Sequence, residues 1–342
     1  MSENSQSRRP FRMPSEWQPQ AALWFSWPHN AETWPENLAA AQAEFTALVQ
    51  CIAATEPVYV LVGDEARGPA EQQLGPIANL TLVNIPTNDA WARDYAPTFV
   101  KDATGNLVAV DWQYNAWGGK YPPFDEDQAV AKRVAQYLGI ASVRPELCIE
   151  GGALEVNDAG VLLTTVSCAT NSNRNPDKSL AEIQDRLCQF LGTEHCIWLS
   201  GNALLGDDTD GHIDQLARFT DNETIVYAWS DDRGDPQVAG LEQNLNDLRR
   251  GLSAAGLGHY RLIPLLLPRP VECFGQRIPA SYCNFLITNE LVVVPRFGQA
   301  RDEDAMQTLT PLFPGRTVVG LPSSNLSVGL GSFHCLSQQQ PL

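Results

Sequence analysis

The stretch HIDQLARFTDNETIVYAW (residues 212–229), followed by GLEQNLNDLRRGLSAAG (240–256), decides how the rest of the chain is read. The first string predicts two strands turning at Asp221-Asn222, because an Asp-Asn pair between strand-forming runs is turn chemistry. The second has apolar residues at helical spacing, good helix formers and a closing glycine. The same order recurs outward from here. Strand pairs are predicted around Thr104-Gly105-Asn106, Asn157-Asp158 and Asn289-Glu290. Helices are predicted from Asn37, Asp125, Ser179, Gly240 and Asp302, three of them opening on an Asp or Ser cap with an early acidic residue. The starts at 125, 179, 240 and 302 lie 54, 61 and 62 residues apart. That period fits a strand–strand–helix–strand unit used about five times and closed into a ring. A generic α/β or α+β enzyme is the alternative, since its helices alternate with strands anyway. No Pro/Gly/Ser-rich run or charge block marks a boundary. Residues 1–342 therefore read as one domain, with 1–10 as a flexible tail.

Composition narrows the function. The 342 residues carry 23 Lys and Arg against 40 Asp and Glu, a formal net charge of −17. Nucleic acid and anionic membrane, which need a basic patch, are disfavoured as partners; a cationic substrate suits the balance. No apolar run approaches the roughly 20 residues of a membrane span. The opening MSENSQSRRPFRMPSEW has early arginines but no apolar core behind them, so the expectation is a cytoplasmic protein. Eight scattered cysteines with no CxxC pair read as reduced thiols. Without HExxH or paired cysteines, no zinc site and no cofactor are expected.

Reactive residues recur at matching phases of the repeat. NDAWARDYAP carries Asp94, CIEGGALEV carries Glu150, and GDDTDGHIDQLARF carries His212 and Asp214. PASYCNFLI carries Asn284, and GLGSFHCLSQQQ carries Cys335. From Asp94 to Glu150, His212, Asn284 and Cys335 the successive spacings are 56, 62, 72 and 51 residues, close to the helix period. In a ring, equivalent strand starts converge near the axis, which would bring carboxylates, an imidazole, an amide and a thiol together. Singly, each has a structural alternative. Taken alone, Cys335 reads as a buried thiol, Arg93-Asp94 as a surface ion pair or turn, and His212 as a core histidine. Asp207, Asp208 and Asp210 lack the closing glutamate of an EF-hand loop. His334 is the rival base, but adjacent strand residues face opposite ways, so it reads as structural or turned from the pocket. His212 and Asp214, two apart, share a face if that segment is extended.

Together these strings resemble the agmatine deiminase branch of the guanidino-group-modifying enzymes, the bacterial-type peptidylarginine deiminase family. The resemblance runs from FRMPSEWQPQAALWFSWPHNAETWP (11–35) to HCLSQQQP (334–341) and includes CATNSNRNP (168–176). It implies a mixed α/β fold, a five-bladed pseudo-symmetric α/β propeller of the pentein type. It also implies roles: Cys335 as nucleophile, His212 as acid–base, Glu150 as its partner, Asp94 and Asp214 as guanidinium-binding carboxylates, and Asn284 lining the site. Trp91 would stack on the guanidinium or its alkyl chain, or simply pack. Asp208 is the candidate for a distal ammonium. The implied reaction is deimination of agmatine to N-carbamoylputrescine and ammonia, without metal or cofactor, by a homo-oligomer. A deiminase of peptidyl-arginine or another guanidine, and a Cys-His amidohydrolase, are the alternatives. Two departures are visible: Ala96 replaces the usual glycine of the RDxGP motif, and Leu330 and Ser332 interrupt a segment richer in glycine elsewhere.

Overall fold

The computed structural model describes residues 10–342; the tail expected over residues 1–10 therefore lies, for 1–9, outside the described residues. Each predicted strand pair is present, and each is followed by a helix and a third strand parallel to the second. Thr98–Asp102 and Leu107–Val110 pair antiparallel; after the helix Asp125–Leu138, Ala141–Val143 adds in parallel. Glu155–Val156, Val161–Thr165, the helix Leu180–Leu191 and His195–Leu199 repeat the order. So do Ala217–Phe219, Thr224–Trp229, the helix Val238–Ala254 and Arg261–Leu266. Leu286–Ile287, Leu291–Arg296, the helix Arg301–Leu309 and Thr317–Pro322 form the fourth such sheet. The fifth joins the two ends of the chain. Ser337–Pro341 pairs antiparallel with Gln20–Ser26, and the helix Leu38–Ala53 leads to Val58–Leu61 in parallel. The protein is thus a mixed α/β fold of repeated units. No described helix is long and apolar enough to cross a membrane.

Local chemistry explains the element ends. Ser179 and Glu182 form a reciprocal capping box on Leu180–Leu191, worth about 1 kcal/mol. Asp125, Glu126 and Asp127 fill the first turn of Asp125–Leu138, against the positive end of its dipole, and Gly139 closes it in the left-handed region. The helix predicted from Asp302 as far as Gly315 ends earlier, at Leu309, because Pro311 cannot continue the ladder. One helix, Asp64–Leu74, was not expected: Gly68 and Pro69 lie inside it, and burial of Ala70 and Leu74 outweighs their cost. It carries the chain to an extra parallel strand, Leu80–Val83, on the fifth sheet.

Five short helical turns position the polar residues. Asp94 lies on Ala92–Tyr95, just before the strand starting at Thr98. Glu150 precedes the 3-10 turn Gly151–Ala153, His212 precedes Ile213–Gln215, and Asn284 ends Tyr282–Asn284. Cys335 lies in the turn before Ser337. Each turn feeds the first strand of a sheet. The segment 212–214 is therefore not extended, and the shared-face reasoning for His212 and Asp214 is corrected: the 3-10 turn, not strand alternation, sets their directions.

Candidate active site

The five turns bring Asp94, Glu150, His212, Asp214, Asn284 and Cys335 into one buried cluster, each less than a tenth exposed. Gly152 marks where they meet. A Cβ on it would lie 2.6 Å from His212 Nδ1, 2.7 Å from Asp94 Oδ1 and 3.2 Å from Asp214 Oδ2, so only glycine fits between the three groups. Its backbone N–H donates to Asp94 Oδ1 at 2.9 Å.

The thiol is held on two sides. Asn284 Nδ2 donates to Cys335 Sγ at 3.1 Å, and Sγ lies 3.5 Å from Asp214 Oδ2. The Asn284 Oδ1 accepts from the backbone N–H of Cys335 at 3.3 Å, so this amide fixes the Cys335 turn. Burial, then the charges of Asp214 and Asp94, push the thiol well above its usual range. Both effects favour the protonated thiol. Asp214 Oδ1 is buried without a hydrogen-bond partner among the described residues, an acceptor left open beside the thiol.

His334 packs behind the site. Its Nδ1 is 2.8 Å from Asp214 Oδ2 and its Nε2 is 3.1 Å from Glu16 Oε2, so it clamps the carboxylate from the side away from the cavity. Arg93 is not a surface ion pair. It is buried, and its Nη1 donates to Gln338 and Gln339 at 2.7 and 2.6 Å while its Nε reaches the His334 carbonyl at 3.2 Å. The Arg93-Asp94 neighbours thus tie the first sheet's turn to the Cys335 turn.

The imidazole of His212 lies among carboxylates. Nδ1 is 3.7 Å from Asp94 Oδ1 and Nε2 is 3.5 Å from Glu150 Oε2, too long for hydrogen bonds but close for charges. Burial opposes a charge on the ring, yet Asp94, Cys168 and Glu150 outweigh it and raise its pKa well above the ordinary value. The surrounding carboxylates thus favour the imidazolium form. Glu150 stays ionised for a separate reason: burial would raise it, but the Arg174 guanidinium, with Nε 2.8 and 2.9 Å from its two oxygens, leads His212 in holding it down to about 2. Asp94 goes the other way. Burial pushes its carboxyl up to about 6, against the pull of His212 and with help from Asp214 and Glu150.

Three supporting groups were missed in the sequence. Arg174 and Cys168 belong to CATNSNRNP, a motif noted without roles; Cys168 Sγ sits 3.6 Å from Glu150 Oε2. Trp117 donates from Nε1 to Asp94 Oδ2 at 2.9 Å. It lies in a run of four left-handed residues, Ala116, Trp117, Gly118 and Gly119, with φ of 51°, 55°, 91° and 78°. For the two with side chains this costs roughly 1–2 kcal/mol each, strain of the kind concentrated at functional sites. Asn115 offsets it by accepting from Gly118 N–H at 2.8 Å.

A cavity of about 1010 Å³ opens onto Asp94 and Cys335. Trp91 lines it and packs against Trp34 and the 329–331 loop, where a Cβ on Gly331 would run into its ring. Leu330 lines it too, at a φ of 71° that favours glycine. Asp208 lies at the cavity wall, where its carboxylate accepts from the Tyr121 hydroxyl. Glu32, Asp89 and Asp127 add further acid; among the described residues Lys120 is the lining lysine, 3.0 Å from Asp210, and no arginine lines the cavity.

Among the described residues, two donor sets could hold a cation: Glu150, Cys168 and His212, and Glu16, Glu155 and His334. In each, a buried guanidinium, Arg174 or Arg218, already neutralises the carboxylates. The arrangement is better suited to holding a planar cation over a thiol, with an imidazolium ready to give up a proton.

Comparison with known proteins supplies a family. A model of Porphyromonas-type peptidyl-arginine deiminases matches residues 12–341. A Shewanella frigidimarina protein named "Putative agmatine deiminase" is 36% identical, covering 97% of this chain and 94% of that protein. The structure of an agmatine deiminase of Enterococcus faecalis superposes with a TM-score of 0.90 at 30% identity, over 97% of this chain and 96% of that one. A Cys→Ser variant of C. jejuni agmatine deiminase with substrate bound gives a TM-score of 0.89 at 27% identity, over 96% of both chains.

Proposed function

The chain belongs to the Porphyromonas-type peptidyl-arginine deiminase family, and we propose that it deiminates agmatine, giving N-carbamoylputrescine and ammonia on a route to putrescine. The observation that carries this reading is the meeting of Asp94 and Asp214 at Gly152, with the Cys335 thiol 3.5 Å from Asp214. Two carboxylates accepting N–H bonds from one guanidinium hold it planar, through charge-assisted bonds about twice as strong as neutral ones. Orientation of this kind contributes roughly 7–11 kcal/mol when the attack geometry is right. The same reading takes the five sheets as blades of a propeller, with the five helical turns around its axis.

The resting charges support a sequence of steps. The guanidinium brings a positive charge beside Cys335, which lowers the thiol's pKa and drives its proton to solvent. The thiolate attacks the guanidinium carbon, forming a C–S bond. The imidazolium of His212 gives its proton to the departing nitrogen, the C–N bond breaks, and ammonia leaves a thiouronium on Cys335. Neutral His212 then takes a proton from water, the hydroxide adds to the same carbon, and the C–S bond breaks; the adduct's hydroxyl proton passes to the departing sulfur, which restores the thiol and frees the ureido product. Glu150, kept ionised by Arg174, keeps the imidazole oriented and basic.

The acidic lining, with no arginine among the described residues, favours agmatine over free arginine, whose carboxylate needs a basic partner. Ammonia release from agmatine, free arginine and a capped arginine amide, with and without a thiol alkylator, tests the choice. Release from agmatine alone, lost on alkylation, supports the proposal; release from the capped amide alone moves the substrate to peptidyl-arginine.

A pH dependence follows from Asp94. Its carboxyl must be ionised to hold a cation, and it loses its charge as pH falls through about 6. kcat/KM for agmatine is therefore expected to drop about tenfold per unit below that point. A profile flat well into the acid range would mean that Asp94 does not bind the cation.

A further inference from the structure

We infer that Glu16 is a positioning residue of the active site: it holds the His334 ring from behind, and His334 fixes Asp214 Oδ2 so that Oδ1 is left for the substrate. Glu16 lies on the segment between the strands Phe11–Arg12 and Gln20–Ser26, outside the five turns that carry the other site residues. The inference rests on the deiminase reading and adds to it a support that reaches the reacting groups only through the imidazole.

The two guanidinium-binding carboxylates are held differently. Asp94 accepts a fixed donor on each oxygen, the Gly152 N–H and the Trp117 indole, both at 2.9 Å. On Asp214 the donors converge on Oδ2, with His334 Nδ1 at 2.8 Å and the Cys335 thiol at 3.5 Å. Its Oδ1 has no hydrogen-bond partner among the described residues. The terminal torsion of an aspartate is broad, so a carboxylate without a fixed donor turns freely. Pinning Oδ2 therefore sets where Oδ1 aims. Burial would raise the Asp214 carboxyl, but the hydrogen bond and charge of His334, ahead of His212 and Arg218, hold it below the ordinary range.

His334 is placed by its surroundings. Its backbone N–H donates to the Asn284 carbonyl and to Asn284 Oδ1, each at 3.2 Å. The second ring nitrogen, Nε2, lies 3.1 Å from Glu16 Oε2. Burial would raise the Glu16 carboxyl, but the Arg218 guanidinium leads His334 in holding it well below the ordinary range. An ionised carboxylate only accepts, so each ring nitrogen bonded to one is an N–H donor. Glu16 thus orients this imidazole as a buried aspartate orients a catalytic one.

Glu16 is itself built in. Its Oε1 accepts from the Ile287 N–H at 3.0 Å, and its Oε2 accepts from Arg218 Nη2. Arg218 Nε continues to Glu155 at 2.8 Å, so a guanidinium supplies the positive charge here and the acids act as hydrogen-bond acceptors. The neighbouring Ser15 ties the segment to Asp158, through its hydroxyl at 2.6 Å and its N–H at 3.2 Å. Facing Asp214 are His334, His212, Arg218, Asp94, Cys335 and Cys283. On the far side Arg218, Arg93, Arg316 and Glu155 face Glu16 and His334.

The test measures kcat/KM for agmatine against pH in Glu16→Gln, His334→Asn and the double variant, with thermal melting alongside. Each single change is expected to lower kcat/KM about tenfold near neutral pH. Without the held imidazole Asp214 loses its charge at a higher pH, so the deficit against the parent should deepen as pH falls and narrow to about threefold in the alkaline range. The double variant should lose no more than His334→Asn alone, because Glu16 acts only through the ring. His334→Asn leaves the Glu16–Arg218 pair in place and carries the pH comparison alone should Glu16→Gln not fold. A deficit of the same factor at every pH would mark a merely structural role; that result, losses that add in the double variant, or no loss would overturn the inference. No ammonia from any guanidine with the parent enzyme would instead overturn the deiminase reading itself.

Discussion

Cys335→Ala is expected to lower kcat/KM by on the order of 10⁴-fold or more, because no other group in the cluster can form the bond to carbon. Two further thiols nearby do not replace it: Cys168 and Cys283 are fully buried, and burial raises both above the ordinary range. The fold should survive. Removing Sγ leaves Asn284 Nδ2 without its acceptor, a cost of about 1 kcal/mol, but it also relieves the carboxylates around the thiol. Thermal melting beside steady-state kinetics checks both halves. Cys335→Ser keeps the shape and loses the acidity of sulfur; near-normal turnover in it would contradict attack by a thiolate.

Gly152→Ala should cost about 10²- to 10³-fold in kcat/KM, although it touches no reacting atom. The added methyl lands 2.6 Å from His212 Nδ1 and 2.7 Å from Asp94 Oδ1, closer than side-chain carbons approach such atoms. Either both groups shift or the 3-10 turn Gly151–Ala153 does, and overpacking of this size costs roughly 1–3 kcal/mol of stability. The backbone N–H that donates to Asp94 survives in alanine, so the loss reads the displacement of the carboxylate and the imidazole. Activity within threefold of the parent, in a protein that melts normally, would show that His212 and Asp94 do not work at this point.

Much of this architecture was legible because local rules repeat. The five long helices, from Asn37, Asp125, Ser179, Gly240 and Asp302, carry strong periodicity, and the hairpin tips carry turn residues. Asp64–Leu74 was hidden because Gly68 and Pro69 argue against a helix, and only tertiary burial decides otherwise. Among the polar residues, those standing at the repeat's phase were visible as a set. The groups behind them were not. Arg174 meets Glu150 across 24 residues, and His334 meets Glu16 across 318, separations at which one sequence carries no pairing signal. Trp117 had a faint one. An asparagine three positions before a Gly-Gly pair suits a left-handed turn, but nothing local says that its indole ends on Asp94.

The most direct test of the central claim is intact-mass measurement of the enzyme quenched during agmatine turnover. The account predicts a protein species heavier by agmatine less ammonia, located on Cys335 by peptide mapping and missing from Cys335→Ala. Turnover of agmatine with no adduct on Cys335, or with undiminished rate in the alanine variant, would contradict it.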